Sequence, residues 1–372
     1  MTDSWQPTPE PPQGFPAPGS GQQPPYPPSY TQPPAHLSGW VPPPAAPKPG
    51  VIPLRPLGVA ELLDGAVTAI RQYPKAILLP SFVVALGVGA FGYLIQLATI
   101  GYLADLNELD PVTADGSDIG RTVGPALGLS LISLLVQFIA TVLLTGVIAV
   151  VMSQAVLGRG ITAGEAWARV RPQAWKLVGL SLLITLAAAG VTIASTIAIV
   201  ILGLLTLGIG LLLLLGAWIP AAVLITYWAI APAALLLERS SVTGAMGRAW
   251  GLTKGAFWRT FGTLVLMVII YGVINVAIAL PFSAPELIAP SIDPDTGELS
   301  QGRFAVNTAI ATVGSVVVST VALPFVAGVI TLLYVDRRMR KEGLDITLAQ
   351  QQPPQQPPQQ PPQQPPYQAP PQ

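Results

Sequence analysis

The chain has no cysteine and a single histidine, His36, among its 372 residues. Without cysteine there is no disulfide, no thiolate metal site and no sulfur nucleophile, and nothing marks the redox compartment. One histidine set among prolines cannot assemble a metal centre of histidines and carboxylates, and no Gly-rich phosphate loop follows a strand-like segment. Charge is also scarce: Asp, Glu, Lys and Arg make up 10% of the residues, where a soluble domain carries about 25%. The 18 basic and 18 acidic residues cancel, so no electrostatic footprint points to nucleic acid. The expectation is a protein that is not an enzyme, holds no cofactor or metal, and does not bind nucleic acid.

The scarcity of charge is extreme between Leu177 and Leu237, 61 residues without Asp, Glu, Lys, Arg or His. A helix needs about 20 apolar residues to cross a hydrocarbon core of about 30 Å. One crossing cannot use this run, so it predicts two, joined by a turn between Gly203 and Gly210. Pro220 and Pro232 are expected to kink the second of them.

Similar reasoning along the chain gives an all-α polytopic membrane protein with six transmembrane helices. Ala76–Ala104, Thr122–Gly158, the two halves of the long run, Thr260–Pro285 and Phe304–Val335 are the crossings. The second has room for a non-membrane turn at Gly124-Pro125, and Pro324 is expected to break the sixth. Each pair follows an amphipathic segment. Val59, Leu62, Leu63, Ala66 and Ile70 recur at helical spacing; Thr162 and Glu165 stand three apart as in a capping box; Val242, Ala245, Met246, Ala249 and Trp250 share one side of a third helix. The membrane part therefore reads as three helical hairpins, each preceded by a surface helix. An aromatic and a cation stand at each joint, Tyr73/Lys75, Trp175/Lys176 and Trp258/Arg259, as expected at a membrane interface.

Residues 1–53 are rich in Pro, Gln, Gly and Ser, and residues 342–372 repeat Gln-Gln-Pro-Pro. Neither can bury enough apolar surface to offset its ordering entropy, so both are expected to be disordered tails flanking a membrane domain over 54–341. No basic segment leads into an apolar one at the start, so no cleavable signal peptide is expected. Spacers without a partner are the favoured reading of the tails; the alternative is a protein partner that reads polyproline.

Charge placement sets the expected orientation. Of the 18 Lys and Arg, Arg121 and Arg303 fall on one side of this threading, Lys48 lies in the tail, and the rest fall on the other side. Because cations near membrane helices stay in the cytoplasm, both termini are expected there, in the plasma membrane. The acidic hinges around Asp110 and Asp295 then face outward. The acids from Asp105 to Asp118 could hold Ca²⁺, but their Asp/Pro/Gly/Ser context reads as a solvated loop.

Three stretches carry a resemblance. Lys48 to Gly65, with Glu61 and Asp64, is similar to the opening of actinobacterial, Streptomyces-type proteins related to the glycerophosphoryl diester phosphodiesterase membrane-domain family. Pro232 to Arg239, followed by Ala249 to Gly262 with Trp250, Lys254, Trp258 and Arg259, resembles that family's middle signature, with Gly251 departing from the larger polar residue expected. Tyr334-Val335-Asp336 through Arg340, Glu342 and Gly343 resembles its closing element. The resemblance implies a membrane domain without assigned chemistry, named after larger proteins whose catalytic barrel does not occur in this sequence.

Two sets of residues are candidates for function. Glu61, Asp64, Glu238 and Asp336 are expected to pair with Arg248, Lys254, Arg259, Arg337 and Arg338 and clamp the surface helices to the bundle, beside a basic collar able to bind anionic membrane lipids. Gln137, Asn275 and Asn307 are polar positions inside crossings otherwise free of ionisable groups; hydrogen bonds between helices are their expected role. The favoured function is a non-catalytic scaffold, regulatory or lipid-associated component of the envelope. The runner-up is a permease or exporter-like protein for an apolar or lipid-like substrate. A bundle packed solid to its midplane would favour the first, and a cavity lined by Gln137, Asn275 and Asn307 the second.

Overall fold

The computed structural model describes residues 50–53, 55–108, 116–206, 209–294 and 297–343. The expected tails are almost wholly outside the described residues, as are His36, Asp110 and Asp295. Ten α-helices follow one another: α1 Val59–Gln72, α2 Pro74–Glu108, α3 Gly116–Val156, α4 Ala163–Val170, α5 Ala174–Leu205, α6 Ile219–Trp228, α7 Ala231–Glu238, α8 Val242–Thr253, α9 Phe257–Ile288 and α10 Gln301–Glu342. Among the described residues there is no strand, only an isolated antiparallel bridge between Ile292 and Leu299. Among the described residues six segments are long and apolar enough to cross a membrane, the shortest of 27 residues.

The surface helices α1, α4 and α8 stand where the hydrophobic spacing places them, and two carry side-chain caps. Thr162 Oγ1 accepts from the Glu165 N–H at 3.3 Å while Glu165 Oε2 accepts from the Thr162 N–H at 3.0 Å, satisfying donors the helix cannot use itself. Ser241 caps α8 through the Gly244 N–H. Leu62, Ala66 and Ala69 of α1 and Ala245, Ala249 and Leu252 of α8 are buried against the bundle. A stacked contact, Tyr227 on Trp250 with centroids 4.0 Å apart, ties α6 to α8.

The prolines act differently from the expectation in two ways. Pro324 does not break the sixth crossing and Pro125 makes no turn: α10 and α3 run unbroken through them. Pro324 is buried, as are Ala322 and Phe325, and a proline inside a membrane helix is tolerated where the helix packs against its neighbours. The fourth crossing, by contrast, is more than kinked. It is a 3₁₀ stretch over Ile209–Gly216, then α6 and α7, each restarted with Pro220 or Pro232 in its first turn, the position where a missing N–H costs nothing. The expected acidic linker from Glu286 to Arg303 is also shorter, since Glu286 lies in α9 and Arg303 in α10. Glu342, assigned from sequence to the tail, is the last residue of α10, with Gly343 left-handed after it.

The three hairpins are not equivalent. The apolar stretch of α10 is 61% buried, against 11% for those of α5 and α9, so α10 is the central pillar, packed on α1, α2, α3 and α9. The continuous core gathers toward one end: it takes α2 only as far as Ile77, α3 from Val142 onward and α10 from Phe325 onward. Chain entry and exit meet at that end, where the Leu57 N–H donates to Asp336 Oδ1 at 2.9 Å.

Candidate functional site

At this basic end, five carboxylates and cations expected from sequence do converge, and others join them. Glu238, closing α7, accepts from Arg248 Nε with both oxygens at 3.0 Å, lies 3.8 Å from Arg338, and accepts the hydroxyl of buried Tyr334. Glu342 completes the group, 2.6 Å from Arg248 and 3.0 Å from Arg338. Burial disfavours the Arg248 charge, but the hydrogen bonds and charges of Glu238 and Glu342 outweigh it and raise its pKa.

A second knot surrounds Asp336, which is 0% exposed. Arg340 Nε donates to it at 2.9 and 3.1 Å, and Arg259 lies 3.7 Å away. The Leu57 carbonyl accepts from both Arg259 and Arg340, so one backbone turn before α1 is tied to α9 and α10. Lys341 reaches the carbonyls of Gly251 and Lys254.

Other expected members of the clamp stand apart. Asp64 is exposed and, among the described residues, makes no ion pair; it sits on the outer side of α1, away from buried Leu62 and Ala66. Lys254 contributes its backbone carbonyl instead of its charge. Glu61 pairs with Arg55 and caps its own helix through the Gly58 N–H at 2.7 Å, so it fastens the entry segment locally and does not reach α10. Arg337 is 2% exposed, yet its Nε and one terminal nitrogen have no hydrogen-bond partner among the described residues. Its position next to Asp336 gives it charge proximity without geometry, because Arg340 and Arg259 occupy the carboxylate.

Beyond the packed core, midway along the bundle, lies a cavity of about 410 Å³. It begins where the core ends: α3 lines it through Thr141, α10 through Leu323. Hydroxyls and amides dominate its wall, among them Tyr93, Gln96, Ser133, Gln137, Tyr271 and Ser319, with no ionisable Asp, Glu, Lys, Arg or His. Gln96 and Gln137 are both exposed to it, and the Gln137 amide makes no hydrogen bond to a neighbouring helix among the described residues, contrary to its expected role.

Asn275 and Asn307 do not line this cavity. Asn275 lies half-buried on α9 one turn beyond Tyr271. Asn307 sits nearer the acidic end, where its Nδ2 donates to Glu286 Oε2 at 2.7 Å and to the Ala289 carbonyl at 2.9 Å. Glu286 also accepts from the Ser291 N–H at 2.9 Å and its hydroxyl at 2.7 Å. Asn307 therefore makes the hydrogen bond between helices expected of it and fastens the α9–α10 turn. The cavity residues that went unnoticed do leave a signal: Ser133 and Thr141 stand four residues either side of Gln137, and Thr312, Ser315 and Ser319 recur every three or four, a polar stripe along one helix face.

Next to the cavity, and sharing Val84 with it, an apolar groove of about 290 Å³ runs along Pro80, Leu143, Leu144 and Trp167. Among the described residues no three His, Asp or Glu side chains come together as metal donors; the side chains from Asp105 to Asp118 fall outside the described residues.

Packed core, basic end and uncharged mid-depth cavity define an all-α, multi-pass membrane protein. No protein-family model, no curated protein and no solved structure matches the chain.

Proposed function

We propose that the protein is a permease- or exporter-like membrane protein for a lipid-like molecule with an uncharged polar head. The observation that carries this reading is the mid-depth cavity lined by hydroxyls and amides: Tyr93, Thr312 and Ser315 donate theirs to backbone carbonyls, while the side chains of Gln96, Ser133, Gln137 and Ser319 make no hydrogen bond among the described residues. An unpaired amide facing hydrocarbon costs free energy, so such a cavity holds water or a polar ligand. Its volume lies in the range of about 300–1,000 Å³ typical of small-molecule sites, and the adjoining apolar groove suits a chain attached to the head. The absence of charge on the wall speaks against an ion carried by charge relay. The scaffold, regulatory or lipid-associated reading keeps one supporting observation, the solidly packed basic half, which a transporter would need to open.

The test is reconstitution into vesicles with an NBD-labelled glucosyl diacylglycerol. Inner-leaflet label is expected to become accessible to external dithionite only when protein is present. Gln137→Leu combined with Ser133→Val, removing polar contacts of about 1 kcal/mol each, is expected to slow this about thirty-fold. No protein-dependent flipping by the wild type would leave the scaffold reading in its place.

We further read the protein as a plasma-membrane component without catalytic role, with both termini cytoplasmic and related to the membrane-domain family named above. Supporting the orientation, Leu57 and Asp336 touch at one end of an even number of crossings, and that end carries most of the cations. Supporting the relationship, residues of all three matching stretches, Leu57, Arg259, Asp336 and Arg340, meet in one knot. Because the chain lacks cysteine, Asp110→Cys and Asp295→Cys give clean labels. A membrane-impermeant maleimide is expected to reach both in intact cells, and Arg159→Cys only after permeabilisation; the reverse pattern refutes the orientation.

A further inference from the structure

A second cavity at the basic end, of about 660 Å³, lies between α4, the turn after it, the start of α5 and the end of α7, apart from both ion-pair knots. Arg169, Lys176 and Arg239 line it. All three are exposed, and among the described residues none makes an ion pair or a side-chain hydrogen bond. Glu165 is also on the wall, but its Oε2 is engaged by the Thr162 N–H. Gln173 supplies a different group: it is 8% exposed, and among the described residues its buried Oε1 accepts no hydrogen bond. The cleft thus joins three unspent cations to one carboxylate and one unspent acceptor.

Backbone geometry fixes these groups. The capping box at Thr162 sets the start of α4, and Pro172 lies in the 3₁₀ turn that carries Gln173. Arg239 adopts a left-handed conformation, φ 52° and ψ 37°, with its N–H on the Leu235 carbonyl, a backbone that favours glycine. Trp175, next to Lys176, is 80% exposed, and exposed tryptophan beside lysine marks the depth of lipid headgroups. An anion with an attached donor, presented at that depth, matches the wall.

We propose that this cleft binds the headgroup of an anionic phospholipid whose head carries a hydroxyl, the phosphate lying among Arg169, Lys176 and Arg239 and the hydroxyl donating to Gln173 Oε1. The site does not depend on the mid-depth cavity or on transport. Inorganic phosphate and glycerol 3-phosphate share the phosphate chemistry, and competition separates them from lipid.

The test is native mass spectrometry of the full chain in neutral detergent with phosphatidylglycerol and phosphatidylcholine of equal chain length. Phosphatidylglycerol is expected to be held about ten-fold more tightly, the size of one charge-assisted contact. R169Q/K176Q removes that preference, and Q173L lowers phosphatidylglycerol binding while leaving phosphatidylcholine unchanged. R239G removes a cation while easing the left-handed backbone, so it probes the cleft even where the double variant fails to fold. R71Q/R159Q, at exposed cations outside the cleft, is expected to change nothing. Equal loss in R71Q/R159Q, or undiminished phosphatidylglycerol binding in R239G and R169Q/K176Q, overturns the site. Displacement of the lipid by millimolar inorganic phosphate overturns the lipid assignment and gives the cleft to a soluble anion; failure of phosphate and glycerol 3-phosphate to displace it supports the lipid.

Discussion

Asp336→Asn is expected to lower the melting temperature of the detergent-solubilised protein by about 5 °C, since neutralising a buried carboxylate that takes charge-assisted hydrogen bonds from partly exposed cations costs about 1.5–3 kcal/mol. The carboxylate is 0% exposed and serves Arg340, Arg259 and the Leu57 N–H together. Without it, Arg259 and Arg340, each about a third exposed, lose the buried carboxylate that they share. Arg340→Met is expected to destabilise as well, because it frees both Asp336 and the Leu57 carbonyl. Arg337→Met should be nearly neutral or stabilising although Arg337 is the more buried of the two, as its Nε and one terminal nitrogen have no hydrogen-bond partner among the described residues and its stem packs like methionine. Melting curves of the three variants decide it: an Asp336→Asn shift under about 2 °C, or Arg337→Met as damaging as Arg340→Met, refutes the clamp as a stabilising device.

Gly314→Val is expected to cost about 2–3 kcal/mol and to separate α9 from α10 near the acidic end. A Cβ at Gly314 would stand 2.7 Å from Phe282 Cβ and Cγ, atoms close to the backbone that cannot swing aside. In lipid, where helices gain little from hydrophobic exclusion, such close approach at small residues is a main source of association. Gly179→Val is the matched control, since nothing lies within 4 Å of a Cβ there, and it should melt like the wild type. Protease sensitivity of the α9–α10 turn, held by Asn307 and Glu286, should rise in Gly314→Val alone. Equal melting of the two variants would show that this contact carries no weight.

Legibility differed from site to site for physical reasons. Surface helices and crossings announce themselves because apolar period and run length act locally, and the Thr162–Glu165 cap is closed within four residues. The clamp was half legible. Charge type and interface position named Glu238, Arg248, Arg259, Asp336 and Arg338, but the choice of partner depends on helix rotation, which put Arg340 on Asp336, left two nitrogens of Arg337 without a hydrogen-bond partner among the described residues and turned Asp64 outward. Glu342 was missed because a Gly and a low-complexity tail follow it, while the helix runs on to hold its carboxylate between Arg248 and Arg338. For Asn307 the role was legible and the partner was not: a hydrogen bond between helices was expected, but only the fold-back of the α9–α10 turn gives it Glu286.

From sequence alone come the number of crossings, the segregation of charge to the ends and the exclusion of cysteine chemistry, all consequences of which residues tolerate hydrocarbon one at a time. Tertiary structure alone decided that α10 is the pillar, that Pro324 leaves it unbroken, that one half of the bundle is packed while a polar cavity opens midway, and that Arg169, Lys176, Arg239 and Gln173 share a cleft. Those outcomes depend on the rotation and offset of each helix against its neighbours, set by many small contacts between residues far apart in the chain, and no local pattern encodes them.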